Sequence, residues 1–524
     1  MAKTIKKDPK TIFHTTEKSN FILNMTEEQY SRLASWGLVI GMFLMPLFTI
    51  FPEINDYKFS YAMTAGGLAV AGVINMILAI IAIMKKYVPK AAMLPVCAFG
   101  AMTAWGIISL INGYDLGVGF YGFTERCEGL LAIAFYGCFF ITAITIKRRS
   151  AVKRVINGVI AVGVLNSIIS LIQIFTANLT HYDYVGWKRG GDHIFLNAAS
   201  GLSMSPLFLA MLLTLSLTAA LIAFVNTDSK RGRLIYLVVA ALFSFVMMFT
   251  YSLLGLCGAV FALIAAAVAV FMLKAPKLRL IILPVSVAFA GLAVCLINTG
   301  LVKATDSYKL YDGRIAWYAD GYMRTGASGP VDESVLDIDD TSTFYWYTID
   351  KTMNIIGDNK LVGTGPEQLA YPQLKSAAGY ADVIDMIHDP KNRMVFDKVY
   401  DEYLYTAATR GIPSLIALIM ILAPVLVIGA KAARKKKYAE IPVLFAMTLS
   451  GVLLFFIGCS SIAYAPVFWA VAGASCAEFE NDAAPAAGNT NNKNSREESE
   501  EPEKVETKTA NTIKKGGRKS NKKK

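Results

Sequence analysis

Arginine side chains that could bind a phosphate occur in several connecting segments of this 524-residue chain. Arg126 lies in the sequence Arg-Cys-Glu-Gly, Lys188 and Arg189 are adjacent, and Arg314 follows Asp-Gly. The guanidinium fork matches the oxygens of a phosphate and keeps its charge at physiological pH. Such arginines could stabilise the negative charge that builds up on a pyrophosphate leaving group without a metal ion.

A glycine-containing turn lies further along the chain. Residues 361–367 read Leu-Val-Gly-Thr-Gly-Pro-Glu, and proline suits the first position of a helix. Gly363 and Gly365 would let the backbone come close to a ligand, and the N–H groups at a helix start can bind an anion. Alone, such a turn is only a weak indication of a phosphate site.

Carboxylates follow in the segment 396–404, Phe-Asp-Lys-Val-Tyr-Asp-Glu-Tyr-Leu, which contains Tyr400, Asp401 and Glu402. Asp401 or Glu402 could take a proton from an incoming hydroxyl. A structural interpretation is also open for these groups. The acids could be solvated charge at a membrane surface, Arg126 and Arg189 could be interfacial anchors, and Arg314 could form a structural salt bridge.

Metal and disulfide sites are not indicated. The seven cysteines include no Cys-x-x-Cys pair, and the four histidines are scattered. We therefore expect no bound metal and no other cofactor.

Membrane-spanning helices must position these residues. Hydrophobic residues make up 55% of the chain, charged residues 17%, and the mean hydropathy is +0.46. A helix needs about 20 mainly apolar residues to cross about 30 Å of hydrocarbon. Twelve apolar stretches approach or reach this length: 32–51, 61–84, 91–111, 130–146, 155–175, 199–225, 234–251, 253–273, 280–296, 412–430, 441–457 and 462–476.

Basic residues are concentrated in alternate gaps between these stretches, namely those after 84, 146, 225, 273 and 430. Cytoplasmic connections of membrane proteins are enriched in Lys and Arg, so these gaps and both termini are predicted to be cytoplasmic. The formal net charge of +12 then reflects topology, and we expect no nucleic-acid partner.

The predicted fold is an all-α polytopic membrane protein with about twelve transmembrane helices and a large extracytoplasmic loop cap between helices nine and ten. Residues 1–31 form a cytoplasmic N-terminal segment without a cleavable signal peptide. Helices one to nine occupy 32–299, the cap occupies 300–411, and the last three helices occupy 412–477. Residues 478–524 are predicted to be a disordered, basic cytoplasmic tail.

The order of these motifs resembles the O-antigen ligase and polymerase superfamily of integral membrane glycosyltransferases, over roughly residues 122–418. Five segments carry the resemblance: Arg126 with Gly129 (Arg-x-x-Gly), Gly201 to Pro206 (Gly-x-x-x-Asn-Pro), Arg314-Ile-Ala-Trp (an arginine–aromatic helix start), Leu361-Val-Gly-Thr-Gly-Pro (Pro-Leu-x-Gly-x-Gly), and residues 397–413 (Asp-Lys-x-His-Asn-Glu-Tyr-Leu…Gly-Ile).

The chain departs from the family pattern at several of these positions. Tyr400 stands where the family usually has His, Asp401 replaces the following Asn, and Ser205 replaces the Asn before proline. Ser252 is followed by leucine where the family often has arginine. Without the histidine, Asp401, the adjacent Glu402 or the substrate phosphate would have to accept the proton, and an inactive descendant is the alternative.

The resemblance implies a GT-C-like, metal-independent, inverting transfer of a glycan from a polyprenyl-pyrophosphate carrier to an acceptor hydroxyl at the outer face of the plasma membrane. It implies two residue sets: a catalytic set of Asp401, Glu402, Tyr400 and Arg314, and a pyrophosphate-binding set of Arg126, Arg189, Lys188, Gly363, Gly365 and Arg410. The expected partners are the lipid-linked oligosaccharide donor, a glycan, lipid or protein acceptor, and membrane lipids.

A transporter or flippase of lipid-linked glycans is the main alternative. It would need charged groups inside the membrane or two matching broken helices. The predicted spans contain almost no charged residues and show no repeated half. A peptidoglycan-type polymerase and a non-catalytic scaffold are further alternatives.

Overall fold

The computed structural model describes most of the predicted membrane region. The described residues are 25–47, 57–123, 127–176, 184–187, 193–196, 199–203, 205–250, 252–273, 277–298, 341–373, 396–435 and 437–482. Most of the predicted cytoplasmic N-terminal segment, much of the predicted cap and nearly all of the predicted tail therefore lie outside the described residues.

Helices dominate the described part of the chain. They are α1 (Glu27–Leu47), α2 (Tyr57–Met84), α3 (Met93–Ile111), α4 (Leu116–Tyr121), α5 (Leu130–Ile144), α6 (Arg149–Thr176), α7 (Pro206–Asn226), α8 (Lys230–Met248), α9 (Leu253–Leu273), α10 (Ile282–Asn298), α11 (Thr341–Asp358), α12 (Glu402–Lys435), α13 (Glu440–Leu454) and α14 (Ala465–Ser475). An antiparallel hairpin joins β1 (Tyr184–Trp187) to β2 (His193–Leu196), with Val185 opposite Phe195.

The chain is a polytopic membrane protein. Eight helices in the described ranges are long and apolar enough to cross a membrane: α2, α3, α6, α7, α8, α9, α10 and α12. The apolar helices α5, α13 and α14 are shorter. Each of the twelve predicted stretches overlaps one of these helices or α1, but twelve membrane crossings remain a prediction.

Rows of large apolar side chains are exposed on the outside of these helices. On α2, Ile77, Ile80 and Ile83 are about half exposed, and Phe271 on α9 is 86% exposed. In water, so much contiguous apolar surface would be unusual for a folded protein. Hydrocarbon is a suitable solvent for it, because the backbone polar groups are already paired within the helices.

Helix α7 lies at the centre of one half of the bundle, where it packs against α6, α8, α9 and α13. Nearly every residue of α7 is buried, which fits its uniformly apolar sequence. Its polar side chains bond within the helix and to neighbouring helices: Thr214 Oγ1 donates to Ala210 O over 2.8 Å, and Ser216 Oγ lies 3.1 Å from both Leu212 O of the same helix and Val159 O of α6.

A second set of helix contacts positions the polar residues. Helix α3 packs along α12, α5 packs along α14, and α13 contacts both α12 and α14. The side chain of Ser109 on α3 donates to Thr409 O on α12 over 2.9 Å, and Trp105 Nε1 donates to Leu361 O over 2.9 Å. Helix α3 thus fixes both the start of α12 and the turn that precedes it.

Helix α12 consists of two helical parts that meet at Gly411. Gly411 has φ 79° and ψ 166°, outside the helical region, and Pro413 follows. The predicted span at 412–430 corresponds to the second part, whereas the structure extends the helix back to Glu402. The first part, 402–410, carries Glu402 and Arg410 into the bundle.

Candidate functional site

A recess lies where α3, α5, α12 and α14 meet. One part of its lining is polar and formed by Glu128, Tyr136, Glu367, Glu402, Arg410 and Ser460. The other part is apolar and formed chiefly by Phe99, Met102, Ile133, Leu418, Phe455 and Trp469. A recess with convergent polar groups and an apolar wall is typical of a ligand site.

Glu402, the first residue of α12, is buried in this recess. Its backbone N–H donates to Phe455 O over 2.9 Å, and its Oε2 accepts from the Ser460 N–H over 2.7 Å. Its Oε1 lies 3.5 Å from Arg410 Nη2. The helical spacing of 402, 406 and 410 puts Thr406 between the two charges, on the same face.

Arg410 is buried, with 5% of its surface exposed, and lines the recess. Its Nη2 donates to Thr406 Oγ1 over 2.6 Å in addition to its contact with Glu402. Within the described part of the chain, Nε and Nη1 of Arg410 donate to no protein atom. These two nitrogens are therefore the donors that a ligand in the recess could use.

A second buried ion pair joins Glu128, just before α5, to Lys398. Lys398 Nζ lies 2.5 Å from Glu128 Oε2 and donates to Ser460 O over 2.9 Å. The other carboxylate oxygen, Glu128 Oε1, accepts from Tyr136 OH over 3.1 Å and from Ser460 Oγ over 2.6 Å. Buried charges are tolerated when they are paired and hydrogen-bonded in this way.

Glu367 connects the turn at 361–367 to the same cluster. Its Oε1 accepts from Tyr405 OH over 2.5 Å and lies 3.5 Å from Lys398 Nζ. Glu367 has φ 60°, in the left-handed region that non-glycine residues seldom occupy. Such a backbone conformation persists only where the surrounding contacts hold it, which here include a buried phenol and a buried ammonium group.

The two glycines of this turn allow a close approach between two backbones. Gly363 has φ 69° and Gly365 has φ 100°, and a Cβ on Gly363 would overlap the backbone of Thr409 and Arg410. The Thr364 N–H donates to Ala408 O and the Gly365 N–H donates to Thr409 O, each over 2.9 Å. The turn thus fixes the backbone beside Arg410, and these N–H groups are already bonded to carbonyls.

Asp401 and Tyr400 lie next to the recess but do not line it. Asp401 Oδ1 accepts from the Leu404 N–H over 2.9 Å, so this side chain caps α12. Burial raises the pKa of the Asp401 carboxyl above its ordinary value, and the backbone N–H groups of Leu404 and Tyr403 offset part of that rise. The Tyr400 side chain is buried, with 2% exposed.

Cys127 lies beside the cluster with φ 51° and a half-buried side chain. Burial raises the pKa of its thiol to about 11, and the negative charge of Glu367 adds to the rise. The thiol is therefore protonated at neutral pH and is a poor nucleophile.

The structure brings together only part of the predicted site. Glu402 and Arg410 share the recess, while Asp401, Tyr400, Gly363 and Gly365 surround it. Four predicted residues lie outside the described ranges: Arg126, Lys188, Arg189 and Arg314.

Sequence reasoning missed Glu128, Glu367, Lys398 and Ser460 as site residues. Glu128, Glu367 and Lys398 each lie inside one of the sequence motifs described above. Glu128 and Lys398 are also charges close to an apolar stretch, which could have singled them out. Ser460 gives no such signal, because its contacts are with residues far away in the sequence.

The described residues include no group of three His, Cys, Asp or Glu side chains placed to hold a metal ion. Comparison of the chain with known protein families and with characterised proteins finds no match.

Proposed function

We propose that this chain is a membrane glycosyltransferase of the O-antigen ligase or polymerase type, acting at the outer face of the plasma membrane on a glycan linked to polyprenyl pyrophosphate. Arg410 supports this proposal best. It is a buried arginine that lines a recess, and its Nε and Nη1 donate to no atom of the described residues. A diphosphate in the recess could accept from both nitrogens at once.

The two-sided lining of the recess suits an amphipathic donor. A diphosphate and its sugar would lie against the polar part, at Arg410. The first isoprenoid units would lie against the apolar part, at Phe99, Met102 and Leu418. Burial of such units is favourable by about 25 cal/mol per Å² of apolar surface.

In the proposed reaction, the acceptor oxygen forms a bond to the anomeric carbon while the bond from that carbon to the diphosphate oxygen breaks. The diphosphate leaves with the bonding electrons, and Arg410 stabilises the charge that it gains. The acceptor proton passes to a carboxylate, for which Glu402 is the candidate inside the recess and Asp401 the candidate beside it. Attack opposite the leaving group inverts the anomeric carbon.

The remaining predicted arginines would complete the diphosphate site. Arg126 belongs to the proposal on the family resemblance and because it lies two positions before Glu128 in the sequence. Arg189 and Arg314 belong to the proposal on the family resemblance alone.

A reconstituted system tests the proposal directly. The purified protein is placed in vesicles with a polyprenyl-pyrophosphate oligosaccharide and an acceptor glycan, and liberated polyprenyl pyrophosphate is measured. We expect the wild type to liberate polyprenyl pyrophosphate and Arg410→Ala to do so at a rate about 100-fold or more lower. Removal of one hydrogen-bond donor to a charge that develops in the transition state has an effect of this size. Arg410→Lys should be intermediate, because lysine retains the charge without the fork.

Arg434→Ala is the matched control, since Arg434 is an exposed arginine at the opposite end of α12. The enzymatic function is refuted if the folded wild-type protein liberates no polyprenyl pyrophosphate from the lipid-linked glycan of the cell that makes it. Equal rates in Arg410→Ala and Arg434→Ala would refute the role given to Arg410.

A flippase of lipid-linked glycans is the second candidate, and one observation favours it. The buried pair Glu402–Arg410 lies on a helix that qualifies as a membrane span, and intramembrane charges often mark transport pathways. The same vesicles separate the two functions. A flippase moves the labelled donor between leaflets and leaves its pyrophosphate bond intact.

A further inference from the structure

Ser460, in the connection between α13 and α14, bonds through its N–H, its hydroxyl and its carbonyl to three buried charged side chains that lie in two other segments of the chain. Its N–H donates to Glu402 Oε2 over 2.7 Å. Its Oγ donates to Glu128 Oε1 over 2.6 Å. Its carbonyl oxygen accepts from Lys398 Nζ over 2.9 Å.

These contacts connect the two ion pairs of the recess. Glu402 is paired with Arg410, and Glu128 is paired with Lys398. Ser460 is bonded to a member of each pair and itself lines the recess. A shift of the 456–464 connection would therefore move Glu402 and, through it, the guanidinium of Arg410.

We propose that Ser460 is a positioning residue for the recess. Its hydroxyl, bonded to Glu128, fixes the connection whose backbone N–H holds Glu402 beside Arg410, so that Arg410 keeps its two uncommitted nitrogens available to the diphosphate. The proposal rests on the function proposed above. Charged groups that act on a leaving group must be held within about 0.5 Å of their working positions, and supporting hydrogen bonds do this. Ser460 lies beyond residues 122–418, where the family resemblance ends.

The neighbouring residue offers a close control. Ser461 is 4% exposed, and its hydroxyl has no hydrogen-bond partner within the described residues. Ser460→Ala and Ser461→Ala remove the same atom from adjacent positions of one connection. Only Ser460→Ala removes a hydrogen bond to a buried charge, and such a bond changes an equilibrium constant by about ten-fold or more. Ser461→Ala removes a hydroxyl that makes no hydrogen bond within the described residues.

The test compares Ser460→Ala, Ser460→Thr and Ser461→Ala with the wild type in the vesicle assay. Rates are expressed per folded protein, counted from the monodisperse peak in size-exclusion chromatography. We expect Ser460→Ala to lower kcat about ten-fold with little change in KM, since a hydrogen bond to a charged group has roughly that effect on an equilibrium. Ser460→Thr keeps the hydroxyl on a half-buried side chain and should restore most of the rate.

The outcomes separate this inference from the function on which it rests. Absence of polyprenyl pyrophosphate release by the wild type and by Ser461→Ala overturns both. Release by the wild type with equal kcat in Ser460→Ala and Ser461→Ala overturns only the role of Ser460. A low yield of folded Ser460→Ala, with normal kcat for the folded fraction, shows that Ser460 contributes to stability alone and also overturns the role.

Discussion

Asp401 combines a helix cap with a partly buried charge. Its carboxylate accepts the Leu404 N–H, yet burial raises its pKa. Because the folded-state pKa is above the unfolded one, Asp401 binds its proton more tightly in the folded protein. Its contribution to the free energy of unfolding is thus fully present below the ordinary value of 3.8 and is lost as the pH rises through the raised value.

Asp401→Asn keeps an oxygen for the Leu404 N–H and removes the charge. We expect its melting temperature in detergent to equal or exceed that of the wild type at pH 7, with a smaller difference near pH 4. Asp401→Ala, the control, lacks the cap and should lose about 1 kcal/mol near pH 4, and less at pH 7, where it also removes the unfavourable buried charge. A marked destabilisation of Asp401→Asn at pH 7 would mean that the ionised form is favoured in the folded state.

At the residue level, sequence reasoning identified groups whose chemistry is visible in their type and spacing. Glu402 and Arg410 were predicted site residues and lie together in the recess. Residues 402 and 410 are eight positions apart, so a helix places both on one face, and this spacing predicts that the two side chains point the same way. Ser460 could not be predicted, since two of its three contacts use backbone atoms that every residue has.

At the level of elements, the position of Arg410 depends on the bend of α12 at Gly411. A Cβ at this position would overlap the carbonyl group of Leu361, and φ is 79°. Gly411→Ala should therefore destabilise the protein by more than the roughly 1 kcal/mol that separates alanine from glycine in a helix, and should displace Arg410. The measurements are the melting temperature and the rate of the vesicle assay.

Gly357→Ala serves as the control for the same substitution. Gly357 lies near the end of α11, and beyond the adjacent residues and backbone of that helix no described atom lies within 4 Å of the place that an alanine Cβ would take there. Alanine at this position should leave stability unchanged or slightly raise it. Equal melting temperatures for Gly411→Ala and Gly357→Ala would contradict the importance of the bend.

The length of each apolar stretch predicted the helices well. A membrane helix is marked in the sequence by a continuous apolar stretch, which can be recognised without knowing what the helix packs against. Helices α5, α13 and α14 are short in the structure, and the apolar stretches that predict them, 130–146, 441–457 and 462–476, are also short. The first part of α12 was assigned to the cap instead. Its charged and polar residues 402–410 are buried by contact with the 361–367 turn and the 456–464 connection, which a local pattern does not show.

At the level of the whole molecule, the proposed function requires the recess to face outward. Asp358, the last residue of α11, is followed closely by Lys360, and this part of the chain lies at the recess end of α12, since the Ile412 N–H donates to Lys360 O. Lys437 lies beyond the opposite end of the same helix. The alternation of basic gaps predicts that the first region is extracytoplasmic and the second cytoplasmic.

Labelling of single introduced cysteines with a membrane-impermeant maleimide in intact cells tests this orientation. Asp358 and Lys437 are both exposed, so the cysteine variants at these positions should react readily where the reagent can reach. We expect Asp358→Cys to be labelled in intact cells and Lys437→Cys only after the membrane is opened, with the native cysteines of the unaltered chain as background. The reverse pattern would place the recess on the cytoplasmic side, where a glycan transfer at the outer face could not occur.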